Sequence, residues 1–181
     1  NNTFTYKKKI LDTYGRIFTK EHINKYSSKI YNIIENIEET NGIVMIYSNY
    51  IYGGLLPLAI ALEELGYSKY DGENLLDSTK NKKEQYAMIT GDIKYTKSKL
   101  NIIKKITDEN NKYGNMIKFL LISKSGSEGL DFKNIRQVHV MEPWYNMSRI
   151  EQIIGRAVRN CSHKMLPFNE RNVEIYLYGT Y

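Results

Sequence analysis

The chain has 181 residues, with 26 Lys and Arg against 20 Asp and Glu, a net charge of +6 and a pI near 9.1. That length supports one domain with a sizeable core, and the basic balance suits a polyanionic partner. The one cysteine, Cys161, excludes an internal disulfide and suits a reducing compartment, and the three histidines are too scattered for a zinc-ligand spacing. No apolar run reaches bilayer length and no secretory signal opens the sequence, so the expectation is a soluble, intracellular protein with no membrane partner. Because it opens on Asn1 rather than Met, the chain is also expected to be an excised, monomeric piece of a longer protein.

Residues 1–26 are polar and basic, with Lys7-Lys8-Lys9 near the front, and are read as an irregular arm or interdomain connection with room for a short helix. The remainder, 27–181, is read as one domain. Ile30, Ile33, Ile34 and Ile37 recur at helical spacing after Ser27, and Asn41-Gly42 ends that helix. Ile43 to Tyr47 is a continuous apolar run, as expected of a strand buried on both faces of a parallel sheet. A strongly apolar helix follows from about Leu55 to Leu65, closed by Gly66. Tyr67 to Gln85 is polar and reads as an insertion or surface loop. Tyr86 to Thr90 reads as a strand ending at Gly91-Asp92. A basic helix then spans about Thr96 to Asn110, with Leu100, Ile103 and Ile106 on one face.

The stretch from Ile117 onward carries most information. The strand Ile117 to Ile122 ends in the loop SKSGSEGLDF, a second strand covers Gln137 to Met141, and a helix follows. On that helix Arg149, Gln152, Arg156 and Arg159 fall on one stripe, and Ile150, Ile153, Ile154 and Ala157 on another face. Ser148 with Glu151 reads as a capping box marking its start. Gly155, mid-helix, is expected where something approaches the backbone closely. After a turn-rich bridge, Val173, Ile175 and Leu177 alternate with polar or aromatic neighbours, the pattern of a half-exposed strand near a sheet edge. Strands alternating with helices give an α/β fold: an open, mostly parallel sheet with helices on both faces, which binds ligands at the carboxyl ends of its strands.

QIIGRAVR (Gln152 to Arg159) resembles motif VI of superfamily 2 helicases and nucleic-acid translocases, and SKSGSEGLDF resembles their motif V. Their order and spacing match the family's second, RecA-like lobe. The tail NCSHKMLPFNERNVEIYLY and the segment IYSNYIYGGLLPLAIALEELGY are similar to those of helicase-like ATPases of large DNA viruses, of the poxvirus nucleoside triphosphatase I and early transcription factor small-subunit type. The resemblance implies a P-loop NTPase-like lobe that lacks the P-loop itself. Neither G-x-x-x-x-G-K-[ST] nor an acidic D-E-x-x box after a strand occurs here. ATP and Mg2+ would accordingly be held mainly by an amino-terminal RecA-like lobe of the same protein, and the fragment alone would be inactive.

Carried over residue by residue, Arg156 and Arg159 match the family's catalytic arginines. Gln152, Gly129 and Asp131 match nucleotide-side positions, whereas Glu128 stands where many DEAD-box proteins have Arg. Ser48, Asn49, Thr90, Gly91, Ser123, Lys124 and Ser125 lie in strand-end loops suited to the backbone of single-stranded DNA or RNA. Ser, Gly and Asn also simply end strands, and for Ser48 or Thr90 taken alone both readings stand. His163 reads as a satisfied turn histidine, and Trp144 as an aromatic packed beside Pro143. The implied function is the carboxyl-side lobe of an ATP-dependent helicase or translocase, possible settings being viral transcription in the virion or host cytoplasm. The competing readings are a nucleic-acid-binding or protein-interaction module without ATP coupling, and an unrelated Rossmann-like lobe such as that of a glycosyltransferase.

Overall fold

The computed structural model describes residues 3–70, 72–76, 84–126, 129–143 and 147–179. Among these residues, strands β1 (Ile43–Ser48), β2 (Ser68–Lys69), β3 (Gln85–Ile89), β4 (Ile117–Ser123), β5 (Ile135–Val140) and β6 (Glu174–Leu177) pair in parallel throughout, in the order β2-β3-β4-β1-β5-β6. The apolar run Ile43 to Tyr47, read as a strand buried on both faces, lies inside the sheet between β4 and β5. Alternate residues feed two cores. Val44, Ile46, Met88, Phe119 and Leu121 pack under α3 (Ser28–Glu38) and α4 (Leu56–Glu64). Ile43, Met45, Tyr47, Ala87, Leu120, Val138 and Val140 pack under α5 (Lys99–Ile106), α6 (Met147–Ile154) and the apolar residues Leu130 and Phe132. No helix among the described residues is long and apolar enough to cross a membrane.

The first long helix follows its reading closely. Ser27 caps α3 by accepting the Ile30 N–H at 3.2 Å, and all four periodic isoleucines are buried. The basic arm is more ordered than expected. It forms two short helices, α1 (Lys8–Tyr14) and α2 (Lys20–Ile23), and is tied to the domain. Ile23 is buried, Tyr6 donates to Glu64 at 2.7 Å, and Arg16 pairs with the same carboxylate at 3.0 Å. Phe4 pairs its backbone with Leu75 and Leu76.

Those two leucines correct the reading of Tyr67 to Gln85 as a surface insertion. The described part contains the edge strand β2 and buries Leu75 and Leu76. Their N–H groups donate to the Glu63 carboxylate, as does the Tyr86 hydroxyl. A buried acid on the preceding helix thus anchors a segment whose own composition is polar. Burial pushes the Glu63 pKa up, and the Tyr86 and backbone donors pull against that.

Three helices also depart from expectation. The helix expected from Leu55 begins earlier, as a π-turn over Ile51–Leu55 that leads into α4. In α5 the buried pair is Ile102 and Ile106, while Leu100 is 79% exposed. A strict spacing of three drifts about 60° per step around a helix, so Leu100 and Ile106 cannot share one face, whereas a spacing of four nearly can. The arginine helix ends at Ile154. Beyond it, Arg156 N–H donates to Ile153 O at 3.2 Å and Ala157 N–H to Ile154 O at 2.9 Å, the tighter pattern of a fraying end. It also starts at Met147, placing Ser148 inside the first turn rather than at the cap.

Candidate nucleotide and nucleic-acid interface

The sheet order sets β4 between β3 and β1, with Ser48 opposite Ser123 in register. The loops leaving β1, β3 and β4 therefore share one carboxyl edge. Ser48, Asn49, Thr90, Gly91, Ser123, Lys124 and Ser125 come together there, although they are spread over 78 positions of sequence. Their chemistry divides. The hydroxyls of Ser48, Thr90 and Ser123 belong to buried residues and are engaged in shaping the loops. Ser48 Oγ donates to Glu142 Oε2 at 2.8 Å and accepts the Tyr50 N–H at 3.0 Å. Thr90 Oγ1 lies 3.1 Å from Thr96 Oγ1, which itself accepts the Thr90 N–H at 2.8 Å. Ser123 Oγ accepts the Gly126 N–H at 3.2 Å and lies 3.2 Å from Ser125 Oγ. Gly91, Lys124 and Ser125 are the exposed members of the set.

Two residues without a role in the sequence reading hold this edge in shape. Glu142, at the end of β5, also accepts the Asn49 N–H at 3.0 Å, so one carboxylate organises the whole turn after β1. Gly126 lies so close to β3 that a Cβ there would collide with the carbonyl of Ile89 and the N of Thr90. The β4 loop is thereby laid across the tip of β3, with Ser125 against Gly91. Neither signal is visible in a linear sequence, since the partner in each case lies on another strand.

The second group sits on the α6 face. Arg159 Nη1 pairs with Asp131 Oδ2 at 2.6 Å, both side chains more than half exposed. Arg156 Nη1 donates to Leu130 O at 3.2 Å, and Phe132 N–H donates to Arg156 O at 3.0 Å. The arginine-bearing turn and the loop after β4 are thus joined by three hydrogen bonds. Gly129, in the same loop, has φ +69°, a conformation that favours glycine. Gln152 is exposed, and Arg149 sits beside Tyr47, whose hydroxyl pKa is raised by burial against the pull of Arg149. At Gly155 a Cβ would meet carbonyls of its own helix, Glu151 O at 3.0 Å and Gln152 O at 3.8 Å, so the expected close approach of another segment is not found among the described residues. His163 is a turn histidine, with Nε2 2.6 Å from Ile135 O and Nδ1 2.8 Å from Ser162 Oγ. Glu128 and Trp144 lie outside the described residues.

An all-parallel sheet with three loops converging at its carboxyl edge, and a helix and turn packed against the loop after β4, defines a RecA-like lobe. Residues 27–161 match the family model of the helicase conserved C-terminal domain, and the chain belongs to that family. It is similar to a protein of Acanthamoeba polyphaga mimivirus provisionally named an ATP-dependent RNA helicase, with 36% identity over 158 residues, 86% of this chain and 26% of the relative. The termination factor NPH-I homolog of African swine fever virus is 33% identical over 189 residues, covering 88% of this chain and 27% of the relative. Among solved structures, the C-terminal part of the Fun30 ATPase domain shares the fold at TM-score 0.56 and 18% identity, over 87% of this chain and 45% of that one. The chain spans about a quarter of the length of these curated relatives.

Proposed function

We propose that this lobe completes an ATP-dependent nucleic-acid helicase or translocase of the large-DNA-virus type. Arg156, Arg159, Gln152, Gly129 and Asp131 would serve the nucleotide, and the carboxyl-edge loops the backbone of a single strand. The observation that carries the reading is the joining of the arginine turn to the loop after β4, which gathers Arg156, Arg159, Asp131 and Gly129 on one surface. These residues suit the outer side of a triphosphate rather than its cradle. In this reading ATP and Mg2+ are held mainly on the amino-terminal lobe. The bound nucleotide would supply the phosphoryl group to be transferred, and the arginines would place positive charge against it. Arg159 is held within reach of solvent by Asp131, an exposed pair of small net value, so exchanging that carboxylate for a phosphate oxygen costs little.

At the strand tips Gly91, Lys124 and Ser125 would meet phosphates, on a frame built by the inward hydroxyls of Ser48, Thr90 and Ser123 and by Asn49. The names of the two viral relatives favour RNA as a substrate and transcription as the setting.

The test is steady-state ATP hydrolysis by the full-length protein with and without single-stranded DNA, duplex DNA and RNA. Stimulation by a polynucleotide that falls with salt is expected, and Arg159→Ala should lower kcat about 10³-fold, leaving polynucleotide affinity unchanged. Undiminished turnover in that variant would favour a binding module without ATP coupling. The isolated lobe should hydrolyse no ATP; turnover by the clean fragment that Arg159→Ala abolishes would refute the division of labour.

A further inference from the structure

The Tyr47 hydroxyl joins the turn after β1 to the arginine helix. Tyr47 is the penultimate residue of β1, opposite Ile122 of β4 and Val140 of β5. Alternation along the strand turns Ser48 toward Gly54 and the α4 side, and Tyr47 toward the α6 side, where Ile43 and Met45 precede it in the same core. Those two bring no polar hydrogen-bonding group into that layer. Tyr47 brings a hydroxyl, and the residue is only 2% exposed.

A buried tyrosine hydroxyl needs one hydrogen-bond partner. This one has two, on different elements. It donates to Asn49 Oδ1 at 3.1 Å, in the turn after β1, and accepts from the Arg149 guanidinium of α6. Arg156 and Glu142 also act on it electrostatically. Burial outweighs the pull of Arg149 and raises its pKa, so the hydroxyl keeps the proton that it donates to Asn49. Asn49 completes the path to the edge. Its backbone N–H donates to Glu142 Oε2 at 3.0 Å, whereas its Nδ2 reaches Glu142 O only at 3.5 Å, beyond the usual range for such a bond. That amide nitrogen is loosely held, on a residue that is only partly buried. The donors run one way, from Arg149 to Tyr47 to Asn49 and outward. In such a chain a negative charge at the outer end polarises each bond in turn.

We propose that Tyr47 is the positioning residue through which a nucleic-acid strand at the carboxyl edge acts on the arginine helix. A phosphate oxygen accepting from Asn49 Nδ2 makes Asn49 Oδ1 a stronger acceptor. The Tyr47 proton is drawn toward it, and the Tyr47 oxygen holds Arg149 more tightly. Arg149 lies seven residues before Arg156, so fixing it steadies the helix from which the arginine turn emerges. The proposal rests on the reading of the edge as strand-binding and of Arg156 and Arg159 as nucleotide-side groups, and it adds the link between them.

The experiment measures ATP hydrolysis by the full-length protein with and without oligo(U) and oligo(dT), and its affinity for the same strands. Tyr47→Phe keeps the ring in the core and removes only the hydroxyl. Turnover without nucleic acid and affinity for the strands should stay within about twofold of native, while the stimulation of kcat by either strand falls about threefold or more. Arg149→Gln should lose the same stimulation, and the double variant should lose no more than either single one, as expected of two groups in one hydrogen-bonded chain. Full stimulation in Tyr47→Phe, with the native protein stimulated, overturns the link alone. So do losses that multiply in the double variant, and so does an equal fall of turnover with and without nucleic acid, which would make the hydroxyl a purely structural group. If the native protein responds to no polynucleotide, the function proposed above fails and the link falls with it.

Discussion

Glu142 shows how much one side chain can decide. Its carboxylate takes a hydroxyl from Ser48 and a backbone N–H from Asn49, and no other group among the described residues is shown accepting from both. Glu142→Ala removes the acceptor of the Asn49 N–H and leaves Ser48 Oγ with the Tyr50 carbonyl at 3.0 Å as its acceptor. The variant should lose about 1–3 kcal/mol of stability, read as a lower urea midpoint, and Glu142→Gln should lose less because an acceptor oxygen remains. An unchanged midpoint for Glu142→Ala would mean that the turn after β1 holds itself. At this same scale the arginines gain a distinction absent from a helical wheel. Arg156 is fastened to a backbone carbonyl, whereas Arg159 is held by an exposed carboxylate that can be exchanged.

The elements illustrate how backbone proximity, rather than side-chain type, shapes the edge. The loop after β4 can cross β3 only because position 126 has no Cβ. Gly126→Ala would drive a methyl into the carbonyl of Ile89, and since both partners are backbone neither can rotate away. A loss of about 1–3 kcal/mol or more is expected by chemical denaturation, as for other overpacked sites. Gly53 supplies the control. It lies in the π-turn, a Cβ there would meet nothing within 4 Å, and its φ is not in the left-handed region. Gly53→Ala should be neutral or slightly stabilising, because the unfolded chain loses freedom. Equal destabilisation by the two substitutions would remove the argument from close approach. α6 tells a related story. The Ile150 and Ile153 face drives it onto the sheet, and the chain then tightens after Ile154, so that Arg156 and Arg159 end on a turn moored to the neighbouring loop.

Across the whole molecule, one polar network joins elements from both ends of the chain. His139, buried in β5, is stacked on Tyr176 and Tyr178 of the β6 segment at 4.7 and 5.8 Å. Its Nδ1 lies 2.7 Å from the Tyr178 hydroxyl, which in turn accepts from Asn36 of α3 at 3.1 Å. Its Nε2 lies 3.1 Å from Gln137 Oε1, and Gln137 Nε2 donates to Glu174 at 2.8 Å. The neutral ring fits this arrangement, donating from Nε2 and accepting at Nδ1. Burial lowers its pKa from 6.5 to about 4, against a small opposing pull from Glu174. The folded state therefore resists a proton that the unfolded state takes up. Stability from this group is complete above pH 6.5 and declines as pH falls toward about 4, by about 3 kcal/mol in all. Urea midpoints measured across that window should show the decline, and His139→Gln should flatten it relative to the native protein. A native profile with no slope between pH 6.5 and 4 would show that the ring is reached by water.

The linear order of residues determined the class of fold and the location of its edge loops. Apolar runs such as Ile43 to Tyr47 and the Ile30, Ile33, Ile34, Ile37 period report burial directly, and the SKSGSEGLDF and QIIGRAVR motifs carry the family. Tertiary structure alone decided which hydroxyls at the strand tips turn inward, that Glu142 and Gly126 hold the loops, and that Leu75 and Leu76 are core. The physical reason is common to these cases. Periodicity records how a residue relates to its own helix or strand, whereas the hydrogen bond that Ser48 donates to Glu142 beyond the neighbouring strand, or a missing Cβ beside Ile89, depends on which strands become neighbours, and in a parallel sheet those neighbours are distant in sequence.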